Sequence, residues 1–133
     1  MGKQTGETLL VKKSGGKYYI PDEGDVIWIN FDPQLGHEQS GHRRAVVVSA
    51  MVYNRKGLAI VCPITRQVKG YPFEVPVPKN LNLTTVGVIL ADQIKSLDWK
   101  ERKATYIEKV NQETLYEIHD RLNFLILPSV TNN

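Results

Sequence analysis

Two histidines and two adjacent arginines directly precede an apolar run in the stretch GHEQSGHRRAVVVSA, residues 36–50. This stretch overlaps a longer segment, Gln39 to Phe73, that contains no aspartate or glutamate. Six basic side chains lie in that segment: Arg43, Arg44, Arg55, Lys56, Arg66 and Lys69. Such a block forms either a solvated basic surface or a surface that binds phosphates. The pattern of charges alone leaves both interpretations open.

Arg43 and Thr65 are the side chains whose chemistry best suits a phosphate. An arginine fork binds a phosphodiester and stabilises charge that grows in a transition state, and a threonine hydroxyl adds a directional hydrogen bond. Neither side chain is a good nucleophile without an adjacent base, so the attacking group must come from the substrate. RNA supplies one in its ribose 2′-OH, which can attack the neighbouring phosphate. These residue types therefore favour RNA as the substrate, cut without a metal or a cofactor.

Three residues that flank this pair are candidates for proton transfer: His37, Glu38 and His42. A histidine in a polar loop is more often a solvated turn residue, so a structural role stays open for both histidines. The single cysteine, Cys62, lies in an apolar run, and neither an internal disulfide nor a cysteine-based metal site can be built from it. We predict that Cys62 is a small core residue.

The length of 133 residues, of which 41% are hydrophobic, predicts one compact domain with a modest core. The net charge of +3 comes entirely from residues 1–20, because the rest of the chain carries 13 basic and 13 acidic side chains. The overall charge is therefore no argument for nucleic acid. No stretch is apolar enough for a membrane helix, and we expect a soluble, cytoplasmic protein. Residues 1–18 are interpreted as a flexible arm or leader, and residues 19–133 as the single domain.

From Pro21 onward, short β-rich runs alternate with turn residues. We predict six strands, at residues 25–31, 45–50, 58–64, 73–78, 86–91 and 104–110. Several of these runs are apolar on both faces, as expected where strands curl around a filled interior. Pro76 and Pro78 place the fourth run at a sheet edge, because proline cannot donate to the hydrogen-bond ladder.

Apolar residues recur at spacings of three and four further along the chain, at Leu115, Ile118, Leu122, Leu125 and Ile126. This pattern predicts one helix, which Asn111 caps and Pro128 terminates. The predicted fold is a small, strongly bent antiparallel β-barrel with this C-terminal helix packed across it. In a meander of this kind the start of the second strand and the end of the third lie at the same end of the sheet. Arg43 and Thr65 are therefore expected to be neighbours.

Four motifs of the chain resemble those of the MazF/PemK toxins of bacterial toxin-antitoxin modules: PDEGDVIWINFDP, EQSGHRRAVVVS, CPITRQVKGYPFEV and LADQIKSLDW. Their order and spacing are those of the family, and the resemblance extends from about Tyr19 to Ile126. It implies a homodimer of SH3-like β-barrels that cuts single-stranded RNA, such as mRNA, at short sequences without a metal. It also implies a cognate antitoxin, whose acidic and partly disordered tail competes with RNA for the Gln39 to Phe73 surface.

Carried over by position, Arg43 corresponds to the family's catalytic arginine and Thr65 to its catalytic threonine. Five further residues fall in motifs associated with activity or RNA contact: Glu38, His42, Asp92, Gln93 and Lys95. One departure is Arg44, which stands where the family usually has proline, so that a backbone N–H is freed and a second cation is added. We expect the Arg44 side chain to point to the opposite face of the strand from Arg43 and to touch at most a distant phosphate.

Further RNA contacts are predicted along and beside the basic segment, at Phe31, Gln34, Arg44, Asn54, Arg66, Gln67 and Lys69. Structural roles stay open for some of these residues. Phe31 also suits the core, and Asn54 also suits an ordinary turn before Gly57.

Two other functions stay open. A related toxin type with the same barrel poisons DNA gyrase by binding protein through its C-terminal tail, but the tail PSVTNN of this chain lacks an aromatic anchor. A non-catalytic RNA-binding module would show the same basic segment and the same fold. Only turnover of RNA distinguishes such a module from a nuclease.

Overall fold

The computed structural model describes residues 19–33, 37–39 and 41–129. The predicted arm, residues 1–18, and the predicted RNA contact Gln34 lie outside the described residues. Within the described ranges the chain forms seven strands: β1 (Asp25–Asn30), β2 (His42–Val47), β3 (Leu58–Thr65), β4 (Glu74–Pro76), β5 (Val88–Leu90), β6 (Lys95–Asp98) and β7 (Thr105–Lys109). The helical elements are the short helix α1 (Met51–Asn54), a 3-10 turn (Ala91–Gln93) and the C-terminal helix α2 (Gln112–Ile126).

All the strands pair in antiparallel fashion, in the order β4-β5-β3-β2-β1-β7, and β6 pairs with β3. β3 is the centre of this arrangement because its length lets it pair with β6 at its start, with β2 in its middle and with β5 at its end. The predicted edge position of the proline-bearing strand is confirmed, since β4 ends the order at one side. The predicted antiparallel sheet with a C-terminal helix is confirmed. The backbone ladder of the described strands does not close on itself, so the word barrel applies to this sheet only loosely.

Two apolar clusters cover the two faces of the sheet. One cluster contains Val46 and Cys62 from the sheet and Ile118 from α2. The other contains Ala45 and Val61, which point to the opposite face because side chains alternate along a strand. Burial, followed by the nearby charge of Asp92, raises the pKa of the Cys62 thiol to about 12, so this core cysteine stays protonated.

Helix α2 begins where the sequence predicts. The Asn111 side chain accepts a hydrogen bond of 3.1 Å from the Thr114 backbone N–H, as an N-cap residue does. Leu115, Ile118 and Leu122 are buried, but the other two members of the predicted apolar stripe, Leu125 and Ile126, are 45% and 72% exposed. The final turn of α2 therefore buries less apolar side-chain surface than the spacing of its apolar residues predicts. No helix among the described residues is long and apolar enough to cross a membrane.

Three local predictions differ from the structure. β2 begins at His42 rather than at residue 45, because the polar residues of this stretch pair with β1 through their backbones. Strand β6 was not predicted, since only Leu97 of its four residues is buried and no alternating apolar pattern is visible. Helix α1 was not predicted, because its four residues are too few to show a helical period, and the predicted turn before Gly57 directly follows it.

Candidate active site

Arg43 and Thr65 lie at the same end of the sheet, on neighbouring strands. The β2–β3 register pairs Ala45 with Pro63, and a two-residue step along that register sets Arg43 opposite Thr65 on the same face. Both residues line a surface cavity of about 550 Å³. The described lining includes three arginines, Arg43, Arg44 and Arg66, and no acidic side chain. A cavity with this lining attracts an anion.

The Thr65 hydroxyl is oriented by its own loop. Its oxygen accepts a hydrogen bond of 3.1 Å from the Gln67 backbone N–H, which leaves the hydroxyl proton able to point into the cavity. The Thr65 backbone is fixed from the other side by Gly87, which has a φ of +112°. A Cβ at Gly87 would overlap the Thr65 carbonyl oxygen and would lie 2.9 Å from the carbonyl carbon. Glycine is therefore required where this segment passes Thr65.

The two adjacent arginines have different surroundings. Arg44 lies within β2 beside Trp28 of β1, so strand alternation directs its side chain to the opposite face from that of Arg43. Its Nη1 atom donates hydrogen bonds of 2.9 Å to Thr84 Oγ1 and 2.7 Å to Thr85 Oγ1. The same atom lies 3.6 Å from Glu108 Oε2. The Arg44 guanidinium therefore already has hydrogen-bond and ionic partners within the protein, unlike a side chain that is available to contact a distant phosphate.

Trp28 is a candidate site residue that sequence analysis missed. Its ring lines the 550 Å³ cavity, is 42% exposed and stacks on the His42 ring with 5.9 Å between centroids. The missed signal was its position between the buried residues Ile27 and Ile29, because alternation in a strand directs the residue between two core residues to the other face. An exposed aromatic face beside a cationic cavity is suited to stacking a base.

A second cavity, of about 300 Å³, lies on the other side of Thr65. It shares Thr65 and Gln67 with the larger cavity and is also lined by Tyr71, Asp92 and Gln93. The Tyr71 hydroxyl lies 2.8 Å and 2.9 Å from the two Asp92 carboxylate oxygens and donates to them. Partial burial and this hydrogen bond raise the pKa of Tyr71 to about 12, so the phenol remains a donor at neutral pH. Tyr71 was also missed by sequence analysis, because an aromatic beside proline in GYPF resembles an ordinary turn.

The segment before β2 is tied to the 3-10 turn and β6. The Gln39 backbone N–H donates to Gln93 Oε1 at 3.1 Å, and Lys95 Nζ lies 3.0 Å from Glu38 Oε2. The structure therefore brings the predicted site residue Glu38 close to two others, Gln93 and Lys95, which lie 55 and 57 positions further along the sequence. His37 lines the second cavity, whereas His42 is exposed at the rim of the first.

Two predicted RNA contacts are wrong. Phe31 is 1% exposed and belongs to one of the two apolar clusters, so its ring cannot stack on a base. Asn54 is fully buried, and its amide donates to the carbonyl oxygens of Pro21 and Ser49 at 2.7 Å and 2.9 Å. Asn54 therefore fixes the chain around α1, because a buried amide must keep its hydrogen-bond partners.

The remaining predicted contacts follow β3. Arg66, Gln67 and Lys69 are exposed on the segment between β3 and β4. Glu74, which is nearly buried, shapes this segment by accepting hydrogen bonds of 2.9 Å and 2.8 Å from the backbone N–H groups of Lys69 and Gly70. The exposed side chains are thereby presented along the mouths of both cavities.

The structure is thus an antiparallel sheet in which an arginine and a threonine lie opposite each other and line a cationic cavity. A site of this kind is suited to bind a phosphodiester. Residues 22–126 match the family described as the PemK-like, MazF-like toxin of type II toxin-antitoxin systems, and the chain belongs to that family. This confirms the resemblance drawn from the four motifs.

Individual relatives agree with this assignment. The chain is 49% identical over 109 residues to the endoribonuclease toxin MazF of Escherichia coli K12, and the match covers 81% of this chain and 96% of the relative. Among solved structures it is similar to MazF of Deinococcus radiodurans, with 45% identity, a TM-score of 0.77 and coverage of 81% of this chain and 97% of that chain. It is also similar to a chain of the MazE-MazF structure from the same organism, with 39% identity, a TM-score of 0.71 and coverage of 84% and 99%.

Proposed function

We propose that the chain is a toxin endoribonuclease that cuts single-stranded RNA by attack of a ribose 2′-OH, with Arg43 and Thr65 as its catalytic residues. The observation that carries the proposal is that both residues line the same arginine-lined cavity, of about 550 Å³. Membership of the toxin family and the named endoribonuclease activity of the Escherichia coli relative support cleavage of RNA by a toxin.

The two side chains have complementary roles in this reaction. The 2′-oxygen loses its proton and bonds to phosphorus, while the bond between phosphorus and the 5′-oxygen breaks and that oxygen takes up a proton. The products are a 2′,3′-cyclic phosphate and a free 5′-OH. Arg43 neutralises charge that grows on the non-bridging oxygens, and the Thr65 hydroxyl donates to one of them because its own oxygen already accepts from Gln67.

His42 is the proton carrier that best fits the geometry. It is exposed at the rim of the cavity, and its stacking on Trp28 restricts its ring. Glu38 instead pairs with Lys95 at 3.0 Å, so we assign it to support of the loop that leads to Arg43. His37, which lines the second cavity, is assigned to substrate contact there.

The RNA occupies both cavities. Because Thr65 and Gln67 line both, a phosphate at Thr65 directs the nucleotide on one side toward Trp28 and the nucleotide on the other toward Asp92. The carboxylate of Asp92 and the free end of the Gln93 amide can hydrogen-bond the edge of a base, which must be unpaired to offer that edge. Single-stranded RNA is therefore the substrate, and Arg66, Gln67 and Lys69 contact it along the cavity mouths.

We further propose a homodimer that acts in the cytoplasm, where its mRNA substrate lies, and that is neutralised by a cognate antitoxin. Exposed apolar side chains near the end of α2, Phe124 at 83% and Ile126 at 72%, supply surface for association. The MazE-MazF structure of a relative supports an antitoxin partner. An acidic, partly disordered tail on that partner would complement the arginine-lined cavity and compete with RNA for it.

The test is cleavage of a long RNA by purified protein in the presence of EDTA. We expect discrete fragments that end in a 2′,3′-cyclic phosphate. A matched substrate with a single 2′-deoxy residue 5′ of the cut should resist cleavage at that position only, since the nucleophile is missing there. Continued cutting at the deoxy position would exclude internal attack, and binding without turnover would make the protein an RNA-binding module instead.

A further inference from the structure

Glu108 joins two parts of the sheet that the backbone ladder leaves apart. It lies in β7, which ends the strand order on one side, yet its carboxylate reaches the segment that leads into β5 near the other side. The carboxylate accepts backbone hydrogen bonds of 2.9 Å from Thr84 and 2.8 Å from Thr85. It also accepts from both hydroxyls, at 3.1 Å from Thr84 and in a shorter contact from Thr85. One side chain thus holds two consecutive residues of the opposite part of the sheet.

Arg44 completes this group from β2. Its guanidinium donates to the hydroxyl oxygens of the same two threonines and lies 3.6 Å from the Glu108 carboxylate. Partial burial acts to raise the pKa of Glu108, but the hydrogen bonds from Thr85 and Thr84 outweigh burial and lower it. Glu108 is therefore charged at neutral pH, and Thr85, at 3% exposure, is enclosed by its partners.

The segment held by Glu108 runs directly to the catalytic threonine. Thr84, Thr85 and Val86 line the 550 Å³ cavity, and the next residue, Gly87, packs against the backbone of Thr65. A Cβ at Gly87 would lie only 3.0 Å from Arg66 Cα as well as overlapping the Thr65 carbonyl. If Thr84 and Thr85 moved, Gly87 would move with them, because only three positions separate Thr84 from Gly87. Gly87 would then displace the backbone of Thr65.

We propose that Glu108 is a positioning residue for RNA cleavage, which together with Arg44 holds the residue 84–87 wall of the cavity against Thr65. It touches neither the substrate nor the reacting atoms in this role. The inference rests on the proposed function, because it assigns a task within the same reaction. Its physical basis is that small displacements of an aligned catalytic group cost far more in rate than in binding.

The main test compares Glu108→Gln with wild type at a temperature well below the melting transition of both. Glutamine keeps the shape of the side chain but loses the charge and replaces one accepting oxygen with an N–H₂ donor, which faces the Arg44 and threonine donors. We expect the single-turnover cleavage rate to fall by roughly 10-fold to 100-fold, while RNA affinity changes by less than about threefold. Glu101→Gln, an exposed carboxylate outside this group, is the matched control and should cleave as wild type does.

A folded Glu108→Gln variant that cleaves at the wild-type rate would overturn the inference, and so would a loss of rate matched by an equal loss of RNA affinity. If this variant does not fold, Thr85→Val replaces it, since valine removes the hydroxyl but keeps the backbone N–H that Glu108 binds. Loss of that one hydroxyl is expected to slow cleavage by about threefold to tenfold, and an unchanged rate would again count against the proposal.

An NMR measurement separates failure of this inference from failure of the proposed function. If wild type cuts no RNA, the proposed function fails, and the amide shifts of Glu108→Gln then decide the positioning claim. Shift changes that extend through Gly87 to Thr65 and Arg66 support it. Changes confined to Thr84, Thr85 and the neighbours of Glu108 overturn it.

Discussion

The two cavities on either side of Thr65 differ in the charges that line them. The larger has three arginines and no acidic residue in its described lining, whereas the smaller contains the carboxylates of Asp92 and Glu74 together with Lys69. A uniformly positive lining suits the phosphate, which is the same in every nucleotide. A lining with both donors and acceptors suits the edges of bases, which differ. Under the proposed function, this difference predicts that the first cavity carries chemistry and affinity and that the second carries sequence preference.

The largest expected effect is in the larger cavity, at Arg43. Arg43→Lys keeps the charge but removes the planar fork, so we expect the cleavage rate to fall by roughly 100-fold to 1,000-fold, or about 2.7 to 4 kcal/mol. Single-turnover kinetics on one short RNA measure this loss. Arg55→Lys, in the exposed turn after α1, is the matched control and should be nearly neutral. An active Arg43→Lys variant would mean that the catalytic arginine has been placed wrongly.

A smaller and different effect is expected in the second cavity, at Asp92. Asp92→Asn replaces one accepting oxygen with a donor and should change which base is preferred next to the cut, by about 1–3 kcal/mol at that one position. Sequencing the fragment ends from a random RNA pool measures the preference. Asp120→Asn, on the exposed side of α2, is the control. If Asp92→Asn lowered the cleavage rate equally on every sequence, the second cavity would have no separate role in sequence preference.

A still smaller effect separates two arginines of the larger cavity. Arg66 is exposed, so Arg66→Ala should weaken RNA binding on all sequences and reduce the slope of log affinity against log salt by about 0.7, the value for one phosphate contact on a single strand. Arg44→Ala should leave the salt slope unchanged, because Glu108 and the two threonines already hold that guanidinium. Binding titrations at several salt concentrations compare the two variants. A reduced salt slope for Arg44→Ala would instead mean that Arg44 contacts an RNA phosphate.

The smallest effect concerns stability at alkaline pH and depends on Tyr71. Because burial and Asp92 raise its pKa from 10.0 to about 12, its contribution to folding is complete below pH 10 and is lost as the pH rises through about 12. The difference in melting temperature between wild type and Tyr71→Phe should therefore shrink across that range. Tyr116→Phe, at an exposed position of α2, should show no such change. A difference in melting temperature that stays constant over this pH range would mean that Tyr71 does not hydrogen-bond Asp92 in solution.

The neighbouring positions of Arg43 and Thr65 could be predicted because a meander fixes which strand ends meet. The roles of Trp28 and Asn54 were harder to see, since one depends on which face of a strand is open and the other on a helix of four residues. The contact between Glu108 and Thr84 could not be predicted from local patterns, because 24 residues separate them and their meeting depends on how far the open sheet curls. The period of the apolar residues predicts which face of a strand or helix is buried, but it does not predict which distant segments of the chain meet.

The alternation of side chains along β2 also determines which changes of length the gene can tolerate. Insertions before His42 lengthen a loop and leave the pairing of Ala45 with Pro63 intact. One extra codon between Arg44 and Ala45 would instead shift both arginines by a position and exchange their faces. The chain would gain a single residue, yet Arg44 would then stand opposite Thr65, and Arg43 would move to the register position that His42 now occupies.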